Sequence, residues 1–197
     1  MPEPTLLSTR HHVLILQHPQ EPDKELGTAR LATGALQNST LKVGLSWRNL
    51  SSALGREAQG ARWAVLYLGS GPKGEGKIHS GLNFVSRSGA PLPADEEQKV
   101  RSALEGLVIL DGTWSQAKAL WWRNAWLLKL RRAILLPSRQ SLYGALRKEP
   151  RRECLSTLES IAEALVDLGE GDRIGESLRG TFKSMLESYK KAPGLET

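Results

Sequence analysis

The segment Leu110-Asp111-Gly112-Thr113-Trp114-Ser115-Gln116-Ala117-Lys118 places a carboxylate, a hydroxyl and an indole within four consecutive positions. Asp111 directly follows the apolar run Leu107-Val108-Ile109-Leu110, which puts it at the carboxyl end of a buried strand. A carboxylate there either caps the helix that follows or serves a site. In a site it can act as a general base, taking a proton from a weakly acidic N–H or O–H. Thr113 adds a hydroxyl beside it. Trp114, in the first helical turn, offers a flat face for a pocket wall or for stacking on a base; its alternative use is core packing.

Other groupings of reactive residues carry less. Gly69-Ser70-Gly71-Pro72-Lys73-Gly74 fits a G-x-G-x-x-G dinucleotide fingerprint after a strand. That fingerprint needs a helix opening at its last glycine, and residues 75–81 are a poor helix, with Pro72 constraining the turn. Gly71 to Lys77 fits G-x-x-x-x-G-K, but Ile78 stands where a magnesium-binding hydroxyl belongs. Both read better as a glycine-rich loop over a site, with Lys73 and Lys77 within reach of a phosphate. His11, His12, His18 and His79 have no common metal-ligand spacing. The single cysteine, Cys154, excludes an intramolecular disulfide and any multi-cysteine site, so no metal is expected. G-x-S-x-G is absent, and Cys154, set among charges, reads as structural rather than nucleophilic.

The elements that would position these residues alternate. Strands are expected at His11–Gln17, Leu41–Trp47, Arg62–Leu68, Leu82–Val85, Leu107–Leu110 and Arg132–Leu136. Helices are expected at Thr28–Leu36 after a Thr cap, Pro93–Glu105 capped by Asp95, and Ser115–Arg123. Ser156-Thr157-Leu158-Glu159 is a capping-box pattern opening a helix with Leu158, Ile161, Leu165 and Leu168 on one face. A last helix, Asp172–Tyr189, repeats that spacing with Ile174, Leu178, Phe182 and Leu186. Apolar strands alternating with helices predict a single α/β domain with a mostly parallel sheet, and ligands in such sheets sit at the carboxyl ends of strands. Residues 1–10 and 191–197 are expected as tails around a domain spanning 11–190.

The charge balance is uneven. The 197 residues contain 27 Lys+Arg and 21 Asp+Glu, a net charge of +6. Trp121 to Arg152 holds nine basic residues and one acid, Glu149, for +8, so the remainder carries −2. A basic block on a near-neutral body points to a polyanion such as nucleic acid, or else to a solvated basic face. No run approaches the roughly 18 apolar residues of a membrane span. The N-terminus has neither the basic nor the apolar region of a signal peptide, so a cytoplasmic protein without membrane contact is expected.

Several ordered blocks together resemble one family. Asp111-x-Thr113-Trp114 with Gln116-Ala117-Lys118 is similar to the signature of DTW-domain proteins. Gln17-His18-Pro19 with Glu21, then Leu26-x-Thr28-Ala29-Arg30-Leu31, resembles that family's N-terminal motif. Arg123-Asn124-x-Trp126-Leu127, Ser141-x-Tyr143 with Arg147-Lys148, and Leu155-Ser156-Thr157-Leu158-Glu159 resemble its later blocks in the same order. The match runs from about His11 to Gly169. It implies a SPOUT-like α/β fold with a C-terminal trefoil knot. It also implies transfer of the 3-amino-3-carboxypropyl group of S-adenosylmethionine to N3 of a tRNA uridine, releasing methylthioadenosine. The N-terminal cysteine cluster of many family members is missing here.

On that resemblance Asp111 is the candidate general base, with Thr113 and Trp114 beside it as the catalytic set. Thr28, Leu68, Leu136, Tyr143, Ser156 and Thr157 are the candidate contacts to S-adenosylmethionine. Ser156 and Thr157 would offer hydroxyls and a helix N-terminus to its carboxylate. Arg30, Arg147, Lys148, Arg151 and Arg152 are the candidate RNA contacts, holding phosphates. Two other readings remain at this point: a methyltransferase on the same fold, and a non-catalytic RNA-binding protein with a relic pocket.

Overall fold

Two strands with no polar interruption form the middle of the protein. β1 (His12–Gln17) and β5 (Gly106–Asp111) pair in parallel, in a register that sets Leu14 against Val108 and Gln17 against Asp111. Val13, Ile15, Leu107 and Ile109 enter one core, and Leu14, Leu16, Val108 and Leu110 enter the other. A strand covered on both faces has no reason to alternate apolar with polar residues, which is why both runs are continuous. Gly106 is required by closeness: a Cβ there would lie 2.6 Å from the His12 carbonyl oxygen and from the Trp63 ring.

The computed structural model describes residues 6–21, 27–66, 78–143 and 155–191. Its six-stranded sheet runs β2 (Ser39–Val43), β1, β5, β3 (Trp63–Leu66), β6 (Arg131–Leu136), β4 (Gly81–Val85). Only β4, on the edge, is antiparallel. This is the expected single α/β domain with a mostly parallel sheet. α1 (Ala29–Ala35), α3 (Ala94–Ala103), α5 (Thr157–Leu165) and α6 (Asp172–Lys191) cover one face. α2 (Leu50–Leu54) and α4 (Trp114–Arg123), with the 3-10 segment Ala125–Lys129, cover the other. The stripes expected on α5 and α6 are buried, from Leu158, Ile161 and Leu165 to Leu178, Phe182 and Leu186.

Asn124 shows why the segment after α4 carries an amide. It is fully buried; its Oδ1 accepts from the Trp47 N–H and its Nδ2 donates to the carbonyls of Leu45 and Leu120. One side chain thus closes α4 and ties the loop after β2 to it.

Several expectations need correction. β2 covers Ser39–Val43 rather than Leu41–Trp47. It is an edge strand with half-exposed residues, so its apolar pattern is weak. The N-cap of α3 is Pro93, and Asp95 sits inside the first turn with Glu96 and Glu97, where the helix dipole favours acids. Residues 6–10 are not a loose tail. The Leu7 N–H donates to the Ala35 carbonyl and its carbonyl accepts from Gln37, while the Arg10 N–H donates to Glu170. At the other end α6 continues to Lys191.

Candidate active site

Strand parity decides where Asp111 points. Gln17 continues the series Val13, Ile15, and Asp111 continues Leu107, Ile109, so both side chains turn toward the face carrying α1 and α5. They do so at the carboxyl ends of adjacent strands, where the chain diverges. β1 leads through α1 to β2 on one side, and β5 leads through α4 to β6 on the other. A crevice between such strands is the preferred ligand position in an open α/β sheet.

The carboxylate is held from two directions. Asp111 is 7% exposed. The Gln17 Nε2 donates to its Oδ2 at 2.8 Å, and the Thr157 hydroxyl donates to its Oδ1. The backbone carbonyl of Asp111 accepts from the His18 N–H, fixing the loop after β1 against the same strand end. Asp111 does not cap α4. That role falls to Thr113, which accepts from the Gln116 N–H while the Gln116 side chain accepts from the Thr113 N–H, a complete capping box. Relieved of capping, the Asp111 carboxylate keeps lone pairs for a proton from outside.

Thr28 takes a part its position at the start of α1 does not suggest. Its hydroxyl makes no cap; it accepts from the Leu158 N–H in the first turn of α5. Ser156 and Glu159 form the second capping box, as expected. Glu159 is fully buried and also accepts from the Ser141 hydroxyl, the Leu142 N–H and the Arg179 guanidinium. The α5 N-terminus is therefore bolted to α1, to the loop after β6 and to α6, and Thr157 reaches Asp111 from a rigid frame.

Trp114 is 44% exposed at the start of α4, so it is not a core residue. Tyr143 is buried, with its ring edge-on to Phe182 at 4.9 Å. Leu136 ends β6, separated from β5 by β3. Arg30 is exposed in the first turn of α1, two residues from Thr28. Of the sequence candidates, then, Asp111, Thr157 and Thr28 are linked through hydrogen bonds around α5, with Thr113 and Trp114 at the same strand end. Leu68, Arg147, Lys148, Arg151, Arg152, Cys154 and the glycine-rich loop as far as Lys77 lie outside the described residues.

One polar group was given no role from the sequence. Gln17 is 2% exposed, and because its Nε2 is committed to Asp111, its Oε1 is left buried with no partner among the described residues. An orphaned buried acceptor costs about 1–3 kcal/mol, which a ligand N–H would recover. The signal was available: a glutamine ending an otherwise apolar strand with inward parity.

No group of three or more His, Cys, Asp or Glu among the described residues is arranged to hold a metal ion. Among the same residues no helix is long and apolar enough to cross a membrane.

Comparison with known proteins agrees with the motif reading. The chain is 31% identical over 169 residues to "tRNA-uridine aminocarboxypropyltransferase 2" of Macaca fascicularis, which covers 85% of this chain and 51% of that protein. It is 30% identical over 179 residues to the protein of the same name from Mus musculus, covering 89% and 53%. A Drosophila melanogaster protein of that name is 36% identical over 97 residues, 49% of this chain. The chain thus spans about half the length of the curated mammalian relatives it matches. No solved structure matches it. The DTW domain itself matches residues 2–190, nearly the whole chain, and this protein belongs to the DTW family.

Proposed function

We propose that this protein is an enzyme that transfers the 3-amino-3-carboxypropyl group of S-adenosylmethionine to N3 of a uridine in tRNA. The observation that carries the reading is the Asp111 carboxylate, buried at the adjoining carboxyl ends of β1 and β5 and freed from capping by Thr113. The names of the mammalian relatives support aminocarboxypropyl transfer to a tRNA uridine.

The residues fit the chemistry. Alkylation at N3 requires loss of the N3 proton, and Asp111 is the acceptor. The N3–C bond forms as the C–S bond of the sulfonium breaks, its electron pair passes to sulfur, and methylthioadenosine leaves. The sulfonium is already a good leaving group, so the protein's task is orientation and the proton. Gln17 and Thr157 hold the carboxylate in one orientation. The Gln17 Oε1, without a partner among the described residues, suits an N–H donor such as the amino group of the donor molecule. Trp114, at the rim, stacks on a base. Thr28, Leu68, Leu136, Tyr143, Ser156 and Thr157 are retained as contacts to the donor. Arg30, with Arg147, Lys148, Arg151 and Arg152, is retained for phosphates.

A SPOUT-like path with a C-terminal trefoil knot belongs to the same proposal. Its support is the return of the chain after β6 to the carboxyl ends of β1 and β5, where Thr157 reaches Asp111 and the Leu158 N–H meets Thr28.

The test is a dual-label transfer assay on unmodified tRNA with S-adenosylmethionine labelled separately in the methyl and the carboxyl carbon. Carboxyl label alone in the RNA is expected. Methyl label alone would make the protein a methyltransferase. No incorporation with a range of tRNAs, combined with no binding of S-adenosylmethionine, would remove the catalytic reading.

A further inference from the structure

We propose that the outward face of α4 is a docking strip for single-stranded RNA, with Trp122 as a stacking platform beside Lys118 and Arg123. Naming its ligand as the nucleotides that flank the target uridine rests on the function proposed above. The strip's affinity for RNA does not.

α4 buries Ala117 and Leu120 against the sheet and turns Trp114, Lys118, Trp122 and Arg123 to solvent. Trp122 is 79% exposed, more than any other large apolar side chain among the described residues. Folding gains almost nothing from an indole in that position. Single exposed apolar residues are ordinary. Here Trp114, Lys118 and Trp122 follow at i, i+4 and i+8, so two indoles flank an ammonium along two helical turns, about 12 Å.

Charge decides what fits. From Gly112 to Tyr143 there are six basic residues and no acid. The exposed positions of α3 and α6 mix both signs, as a solvated face does. Aromatic faces interleaved with cations and free of carboxylates are the requirements for holding unpaired bases and their phosphates. A duplex keeps its bases stacked on one another and gives an indole nothing to cover.

The strip also begins in the right place. Trp114 follows Thr113, the residue that caps α4 beside Asp111. Asp111 turns to the face carrying α1 and α5, so the strip starts at the shared strand end, at Trp114, and runs away from it on the opposite side of the sheet toward Trp122. At the far end Asn124 fastens the loop after β2 that bears exposed Leu45.

The experiment titrates the full chain with a single-stranded oligouridylate of about ten nucleotides and with a blunt RNA duplex, following tryptophan fluorescence and, independently, a label on the RNA. Trp122→Ala is expected to weaken oligouridylate binding roughly tenfold or more, with duplex binding and circular dichroism unchanged. Trp122→Phe, which still stacks, should recover most of the loss. Lys118→Gln and Arg123→Gln should each reduce the salt dependence by about one unit of slope. Unchanged oligouridylate affinity in Trp122→Ala overturns the proposal, as does an equal loss for duplex and single strand. Self-association of the wild type that Trp122→Ala abolishes, with RNA affinity intact, would also overturn it and assign the face to a protein contact. If neither transfer nor S-adenosylmethionine binding is detected but the Trp122 effect on single-stranded RNA holds, the strip stands and the catalytic reading falls.

Discussion

The Gln17 side chain donates to Asp111 from 94 residues away in sequence and one strand away in space, and in doing so commits its own carbonyl oxygen to a buried position without a partner among the described residues. The carboxylate dictates which way the amide faces, since only Nε2 can donate to it. Gln17→Ala removes one support of Asp111 and the orphaned oxygen together. Transfer should fall about tenfold to a hundredfold, with a change in stability of no more than about 1–2 kcal/mol, because the lost hydrogen bond is offset by relief of the unsatisfied oxygen. Labelled-tRNA turnover and urea melts measure the two effects separately. A large stability loss with normal turnover would make Gln17 a core residue only.

Asp111→Asn keeps size and much of the hydrogen bonding while removing the base. Turnover should drop roughly a hundredfold to ten-thousandfold, with S-adenosylmethionine binding and circular dichroism retained. Near-normal turnover would leave Asp111 as a structural acceptor for Gln17 and Thr157.

Glu159 joins three parts of the chain at zero exposure. Truncation to Ala strands the Ser141 hydroxyl, two backbone N–H groups and Arg179. The expected cost is about 3–5 kcal/mol, read as a lowered melting temperature. Glu159→Gln, which keeps one acceptor oxygen, should fall between wild type and Glu159→Ala. Equal stability of all three proteins would show that this junction does not hold α5 in place.

His11 and Glu170 form a buried, directional pair. Burial holds the His11 imidazole below its ordinary value of 6.5, against the pull of Glu170. Its Nε2 takes a hydrogen bond from the Arg10 guanidinium, which can only donate, so Nδ1 carries the proton toward Glu170 at 2.6 Å. Burial tends to raise Glu170, but the N–H groups of His11 and Arg10 outweigh it and leave the carboxyl below 4.5. With both folded values depressed, the unfolded chain takes up more protons as pH falls. Stability from His11 is complete above about pH 6.5 and declines below it; the Glu170 share declines below about pH 4.5. His11→Asn keeps a donor toward Glu170 without titrating there, so its urea midpoint should change less between pH 7.5 and pH 5.5 than that of the wild type. Identical pH dependence would remove His11 as a source of the acid sensitivity.

Much of the frame was legible because local and global demands agree. The apolar runs of β1 and β5, the spacing along α5 and α6, and the box at Ser156–Glu159 each have one reading, and the structure has it. Where tertiary contacts overrule a local rule, the sequence misleads. Thr28 stands where a cap belongs, but its hydroxyl serves Leu158, 130 residues away. Asp111 also stands where a cap belongs and yields that role to Thr113 two residues later. Partners at such separations leave no periodicity to read, so the convergence of Gln17, Asp111 and Thr157 was visible only as three separate polar residues.

The hydrogen bond between Thr28 and Leu158 has a consequence for how the protein is made. Synthesis runs from the N-terminus, so β1 and β5 leave the ribosome well before α5 does. Until residue 158 emerges, Asp111 lacks the Thr157 hydroxyl and Thr28 lacks the N–H its hydroxyl accepts from. A chain stopped short of that point holds the carboxylate by the Gln17 amide alone, so the order of synthesis leaves the completion of this strand end to the C-terminal third of the protein.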